Sequence, residues 1–194
     1  MKIALDADGV LFDFQKSWRL CAERVLKKSL SEMGDAYDLG IRYGLSKTEV
    51  HKVWTVWNGT ASWRRVLPIV PAVEVVLMAL DFGHEITVVS CLPSTQAAQE
   101  RRESLDRWGL KKVELIPVYN GSKKAVLQEL RPHFYADDLA FHCLEARDAL
   151  VPEIVRIRGF DPSPAPEGVT EYPSLDLALV PFLRDRVVPL TKRR

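Results

Sequence analysis

Five short runs rich in β-branched and aromatic residues, each separated from the next by helical patterning, constrain this chain more than any other feature. Ile3 to Leu5, Ile86 to Ser90, Glu114 to Val118, Phe134 to Ala136 and Ile154 to Ile157 read as strands. Between them, Phe14, Trp18, Cys21, Val25 and Leu26 recur at helical spacing, and Val73, Val76, Leu77 and Leu80 form one face between Pro71 and Gly83. Further helices are expected up to Trp108, from the turn Asn120-Gly121-Ser122 through Leu130, and from about Leu139 to Leu150. Strands alternating with helices predict an α/β fold, a doubly wound parallel sheet covered on both faces. Residues 29–67 break the alternation. They carry Trp54, Trp57 and Trp63 among glycine breaks, and Ser46-Lys47-Thr48-Glu49 matches a capping box for a helix running to Asn58-Gly59. The predicted division is therefore an α/β core over 1–13 and 68–194 with a small helical cap, 14–67, inserted after the first strand. The Pro162 to Pro166 run is a predicted loop, and Lys192-Arg193-Arg194 a frayed end.

Composition narrows the function. The 194 residues hold 27 Lys+Arg against 26 Asp+Glu, a formal charge of +1, and 47% are hydrophobic. That balance excludes a disordered chain and lacks the basic excess of a nucleic-acid binder, so no nucleic-acid partner is expected. No run approaches the roughly 20 apolar residues of a membrane span, so no membrane partner is expected either. The start turns acidic at Asp6, unlike a secretory signal. Cys21, Cys91 and Cys143 are widely spaced and read as reduced thiols, which suits a cytoplasmic location. The four histidines lack metal-ligand spacing and are assigned to surface or core.

The chemistry collects where strands end. In a doubly wound sheet, ligands bind beyond the carboxyl ends of the strands. Asp6 and Asp8 follow the first strand, Ser90 ends the second, Lys123 and Lys124 open the helix after the third, and Asp137-Asp138 follow the fourth. Clustered carboxylates repel one another unless a cation joins them, and magnesium takes carboxylates, water and a substrate phosphate. Ser90 can donate to a phosphate oxygen, and a lysine offsets phosphoryl charge. Two residues apart in extended chain, Asp6 and Asp8 point the same way, so one can attack phosphorus while the other protonates the leaving oxygen. Gly9 lets the chain turn away at once. Lys123 is preferred over Lys124 because it places Val126, Leu127 and Leu130 on one helix face.

Asp6-Ala7-Asp8-Gly9-Val10-Leu11 resembles the first motif of the haloacid dehalogenase (HAD) superfamily in its phosphatase branch. Ser90, Lys123 in Gly-Ser-Lys-Lys, and Asp137-Asp138 after Phe-Tyr-Ala resemble the second, third and fourth motifs, in family order. Within the superfamily the chain is most similar to the 5'(3')-deoxyribonucleotidase-like group. The points of likeness are the helical cap after the first strand, Pro71-Ala72-Val73, the proline soon after Ser90 and the paired aspartates. The resemblance implies an aspartyl-phosphate mechanism. Asp6 would be nucleophile and magnesium ligand, and Asp8 general acid and then base, with its backbone carbonyl on the metal. Lys123 would steady nucleophile and phosphate, Ser90 would bind phosphate, and Asp137 would ligate Mg2+ with Asp138 assisting. Cys91 is grouped with Ser90 on the substrate side as a small residue, not a nucleophile. To act as acid, Asp8 must be protonated, which its neighbours would have to favour.

Phe14, Trp18, Trp54, Trp57 and Trp63 are the candidates for stacking a base, with Trp63 preferred and Arg64 beside it for a phosphate or polar head group; Trp54 and Trp57, three apart, read as a packed seam. The expected substrate is a small phosphomonoester, a (deoxy)nucleoside monophosphate first. Sugar-phosphate or broad-specificity hydrolysis, and a non-catalytic phospho-ligand-binding protein, are the alternatives. A homodimer is compatible with this reading.

Overall fold

The computed structural model describes residues 1–119, 121–159 and 161–184. Asn120 of the predicted turn and the basic tail, 192–194, lie outside the described residues. The five expected strands, β1 (Lys2–Leu5), β4 (Glu85–Cys91), β5 (Glu114–Val118), β6 (Phe134–Asp137) and β7 (Glu153–Ile157), and a sixth, β8 (Thr170–Tyr172), form a parallel sheet in the order β5-β4-β1-β6-β7-β8. The helices of the core are α4 (Val70–Asp81), α5 (Thr95–Arg107), α6 (Lys124–Leu130), α7 (Ala140–Asp148) and α8 (Leu175–Arg184).

Strand alternation decides which residues meet which helices. Ile3, Leu5, Ile86, Val88, Phe134 and Ala136 pack on one face with residues of α4, α5 and α8. Ala4, Val89 and Tyr135 point the opposite way, onto Leu127 of α6 and Cys143 and Ala146 of α7. Both faces are thus buried, which is why these strands carry unbroken apolar runs. The sheet grows from β1 towards β4 and β5 on one side and resumes from β6 on the other. The crevice beyond β1 and β6 is therefore the switch point at which such sheets bind ligands.

Between β1 and α4 the chain makes a helical insertion of α1 (Phe14–Leu26), α2 (Leu39–Arg42), α3 (Lys47–Gly59) and a 3-10 turn over Ser62–Arg65. Ser46 caps α3 and Glu49 answers the Ser46 backbone, completing the predicted capping box. The neck of the insertion is a two-stranded antiparallel ribbon, β2 (Phe12–Asp13) against β3 (Leu67–Pro68). Apolar packing runs unbroken from the sheet through Phe12 and Trp18 to Val53, Trp57 and Trp63.

Several elements escape sequence reading. β2 and β3 are only two residues each, and β8 is three residues following a proline-rich loop, so none can show a periodicity. Helix α8 contains Pro181, which argues against a helix from sequence, yet its Leu175, Leu179 and Phe182 are buried and it packs on α4. Leu5, fully buried at the centre of the sheet in β1, gives a direct test of this core. Leu5→Ala is expected to destabilise the protein by about 2–5 kcal/mol, read as a lowered urea midpoint with an unchanged slope.

Candidate active site

Several segments meet beyond the carboxyl ends of β1 and β6. Asp6 directly follows β1, its backbone N–H continuing the ladder to the Ala136 carbonyl at 2.8 Å. Asp137 ends β6 and Asp138 follows it. Lys123 stands at the cap position of α6. Its ammonium, almost wholly buried, lies 2.5 Å from Asp6 Oδ1 and 2.7 Å from Asp137 Oδ2, and so joins the two strand ends. Lys124 faces away and pairs with Asp148 on the surface at 2.9 Å. The preference for Lys123 on helix periodicity matches this placement: the apolar face of α6 turns Leu127 inward, one turn on from Lys123.

The carboxylates are not equivalent. Asp137 accepts from Lys123, from the Tyr135 hydroxyl and from the Leu139 backbone N–H at 2.9 Å. Asp138 has no such donor among the described residues, and its carboxylate packs on Gly9. A Cβ at Gly9 would collide with it, and Gly9 has a φ of +77°. Glycine is thus required there both for the turn and for the close approach. Ligand oxygens of Asp6, Asp137 and Asp138 all lie within 4.8 Å of one another.

Burial pushes the Asp6 carboxyl up to about 6, helped by Asp137 and Asp8 and opposed by Lys123. Asp138 is pushed well above the carboxylate range by burial, Asp137 and Asp6. Burial would also raise Asp137, but Lys123, His142 and its hydrogen bonds hold it below. Although burial disfavours the Lys123 ammonium, Asp137 and Asp6 keep it charged, above the usual lysine range. The cluster thus holds more negative charge than one lysine offsets. Oxygen donors in that excess are the donor set magnesium prefers, and Asp138 is the carboxylate left free to take it.

Asp8 points elsewhere. Both its oxygens face Arg101 of α5, whose Nη2 lies 2.6 and 2.8 Å away. The side chain that holds Asp8 is thus a cation and not another carboxylate. Ser90 and Cys91 end β4 and line the same cavity as Asp6, Asp8, Lys123 and Asp138, about 570 Å³ in volume. Burial pushes the Cys91 thiol up to about 11, consistent with a small neutral wall residue.

On the insertion side, Phe14, Trp54 and Trp63 line the cavity. Their rings are nearly parallel, Phe14 and Trp63 lying 5.6 Å apart at 13°. Trp18 and Trp57 are instead buried in the core. Trp54 meets Trp57 edge-on, as a seam does, but also reaches the cavity. Arg64 is not brought to the cavity; it pairs with Glu103 of α5.

Four site residues escaped sequence reading. Arg101 lies in a helix that reads as merely charged. Tyr37 stands near the carboxylates in an irregular segment, its hydroxyl pushed up to about 12 by burial and by Asp138, Asp6 and Asp8. His142, assigned to surface or core, lines the cavity, with Nε2 3.7 Å from Cys91 Sγ and Nδ1 2.8 Å from Glu145. Glu145 also accepts from the Ser122 hydroxyl and, at 2.9 Å, from the Lys123 N–H. It therefore caps α6 from the neighbouring helix and fixes the backbone that carries Lys123. The His142–Glu145 spacing of three on one helix was the only available hint.

No family model matches the sequence, and no curated protein matches it. Solved structures do. A HAD family hydrolase from Deinococcus radiodurans R1 with bound phosphate and sodium is 15% identical with a TM-score of 0.61, covering 95% of each chain. An archaeal β-phosphoglucomutase from Pyrococcus sp. strain ST 04 is 15% identical with a TM-score of 0.55, covering 95% of this chain and 98% of its own. D,D-heptose 1,7-bisphosphate phosphatase from Burkholderia thailandensis is 10% identical with a TM-score of 0.56, covering 94% and 97%. The chain therefore has the fold of the HAD-family hydrolases and phosphatases.

The carboxylate cluster makes stability depend on pH. Asp6 has a folded-state pKa of about 6 against 3.8 for an isolated aspartate side chain, so between these values the folded form binds more protons than the unfolded one. Stability then falls as pH rises through that window, and the raised Asp138 extends the loss upward. In EDTA the melting temperature is expected to drop from about pH 4 to above pH 6, and added Mg2+ to restore more of it at about pH 7.5 than at about pH 5. Calorimetric scans across this range check both.

Proposed function

We propose that the protein is a magnesium-dependent phosphohydrolase that cleaves a small phosphomonoester through an aspartyl-phosphate on Asp6. The observation that carries this reading is the buried Lys123 ammonium joining Asp6 to Asp137, with Asp138 beside them, at the sheet's switch point and open to a closed-in cavity. Asp6, Asp137, Asp138 and the Asp8 backbone carbonyl are the groups we assign to the metal, Asp137 being also held by Lys123, Tyr135 and Leu139. Bound there, magnesium would offset the negative charge of phosphate and carboxylate.

The residues divide the work as follows. The Asp6 oxygen not held by Lys123 attacks phosphorus as the bond to the leaving oxygen breaks. Ser90 donates to a phosphate oxygen, and the Lys123 charge lowers the repulsion between carboxylate and phosphate. The leaving oxygen takes a proton from Asp8. Water then attacks the aspartyl-phosphate and gives its proton to Asp8, freeing phosphate and the Asp6 carboxylate. The helical insertion, 14–67, acts as a cap that excludes bulk water from the first transfer.

The wall of Phe14, Trp54 and Trp63 suits a flat leaving group, so a (deoxy)nucleoside monophosphate is the substrate we place first. A sugar phosphate is the second reading, favoured by Gln15, Tyr37 and Asp38 on the polar side of the same cavity. A cytoplasmic location follows from the reduced-thiol reading.

Phosphate release from a panel of nucleotides, sugar phosphates and p-nitrophenyl phosphate, with Mg2+ or EDTA, tests the reading. Asp6→Asn is expected to abolish turnover. Asp8→Asn is expected to slow an alkyl phosphate by about 100-fold or more and p-nitrophenyl phosphate far less, because the latter leaves without a proton. Silence across the panel, with Mg2+ still bound, would favour a non-catalytic phospho-ligand-binding protein.

A further inference from the structure

Asp6 and Asp8 lie two residues apart, yet only Asp6 joins Asp137 and Asp138 in the carboxylate cluster. What separates them is Arg101. Its side chain is fully buried and its Nη2 holds both Asp8 oxygens. The guanidinium carbon lies 4.9 Å from the centre of the Phe12 ring and 5.5 Å from that of Trp63. Phe12 belongs to the strand leading into the helical insertion, and Trp63 to the turn leading out of it. Nε and Nη1 have no hydrogen-bond acceptor among the described residues, so the Arg101 charge rests on Asp8 and two aromatic faces. A buried cation with so few partners is expensive to keep.

A carboxylate beside such a cluster is attracted to any divalent cation bound there. Were Asp8 to become a ligand, its carboxylate would be drawn towards the cluster and away from the leaving-group side of the cavity. We infer that Arg101 is a positioning residue that keeps the Asp8 carboxylate out of the cation's reach and so reserves it for the leaving group. Trp63 lines the cavity while stacking on Arg101, so the same guanidinium ties Asp8 to the wall on which the leaving group rests. This inference rests on the magnesium phosphohydrolase reading above.

Calorimetric titration of Mg2+ into the whole protein tests it without relying on turnover. Arg101→Gln is expected to bind Mg2+ about three- to tenfold more tightly than the unsubstituted protein, because ligand charge sets affinity and a further carboxylate is released to the cation. Its turnover of an alkyl phosphate should fall at the same time. In an Asp8→Asn background the same substitution should leave Mg2+ affinity nearly unchanged. Equal tightening in both backgrounds would show only the loss of a positive charge and would overturn the inference, as would unchanged or weaker binding. Arg101→Met, which keeps an apolar chain between the two rings, serves if the glutamine form does not fold. Failure of both to fold would make Arg101 structural and overturn the inference. Absence of Mg2+ binding by the unsubstituted protein would instead overturn the underlying reading, and this inference with it.

Discussion

The buried ammonium of Lys123 is the interaction on which the rest of the site depends. Asp6 follows one strand and Asp137 ends its parallel neighbour, and their buried carboxylates would repel one another. Lys123 places one positive charge 2.5 and 2.7 Å from them and makes the pair of strand ends compatible with a single geometry. One cation cannot offset three carboxylates, however, and burial together with that imbalance raises Asp6 and Asp138. A site that is only partly neutralised is suited to recruiting further positive charge.

Lys123 is itself held by groups away from the chemistry. Helix α6 has no cap of its own from a serine, threonine or aspartate side chain, and Glu145 of α7 supplies one from the neighbouring helix. Gly9 contributes in a different way, by the absence of a side chain, since the Asp138 carboxylate occupies the space a Cβ would take. Position in the fold and position in the site are therefore the same constraint for these residues.

The helical insertion completes the pocket from the other side. Its ribbon neck pairs Phe12 with Pro68 and Asp13 with Leu67, and Phe14, Trp54 and Trp63 build one apolar wall. Arg101, from the core, lies behind that wall against both Phe12 and Trp63 while holding Asp8. The aromatic side of the cavity and the Asp8 carboxylate are thus physically joined.

Much of this was legible in the sequence because it is local. Strand periodicity places Ile3 and Leu5 opposite Ala4, the Ser46–Glu49 pattern starts α3, and the strand-end positions of Asp6, Ser90 and Asp137 already imply one rim. What the sequence could not determine are contacts between segments far apart in the chain. Asp8 meets Arg101 across 93 positions, and Lys123 meets Asp6 across 117. Neither Arg101 nor Glu145 differs, as a residue in a helix, from an ordinary solvated charge, and Arg64 beside Trp63 turns to Glu103 instead of the cavity. Only the packing of helices on the sheet decides which charges are buried together, because burial and distance, not residue type, set the strength of a charge's interactions.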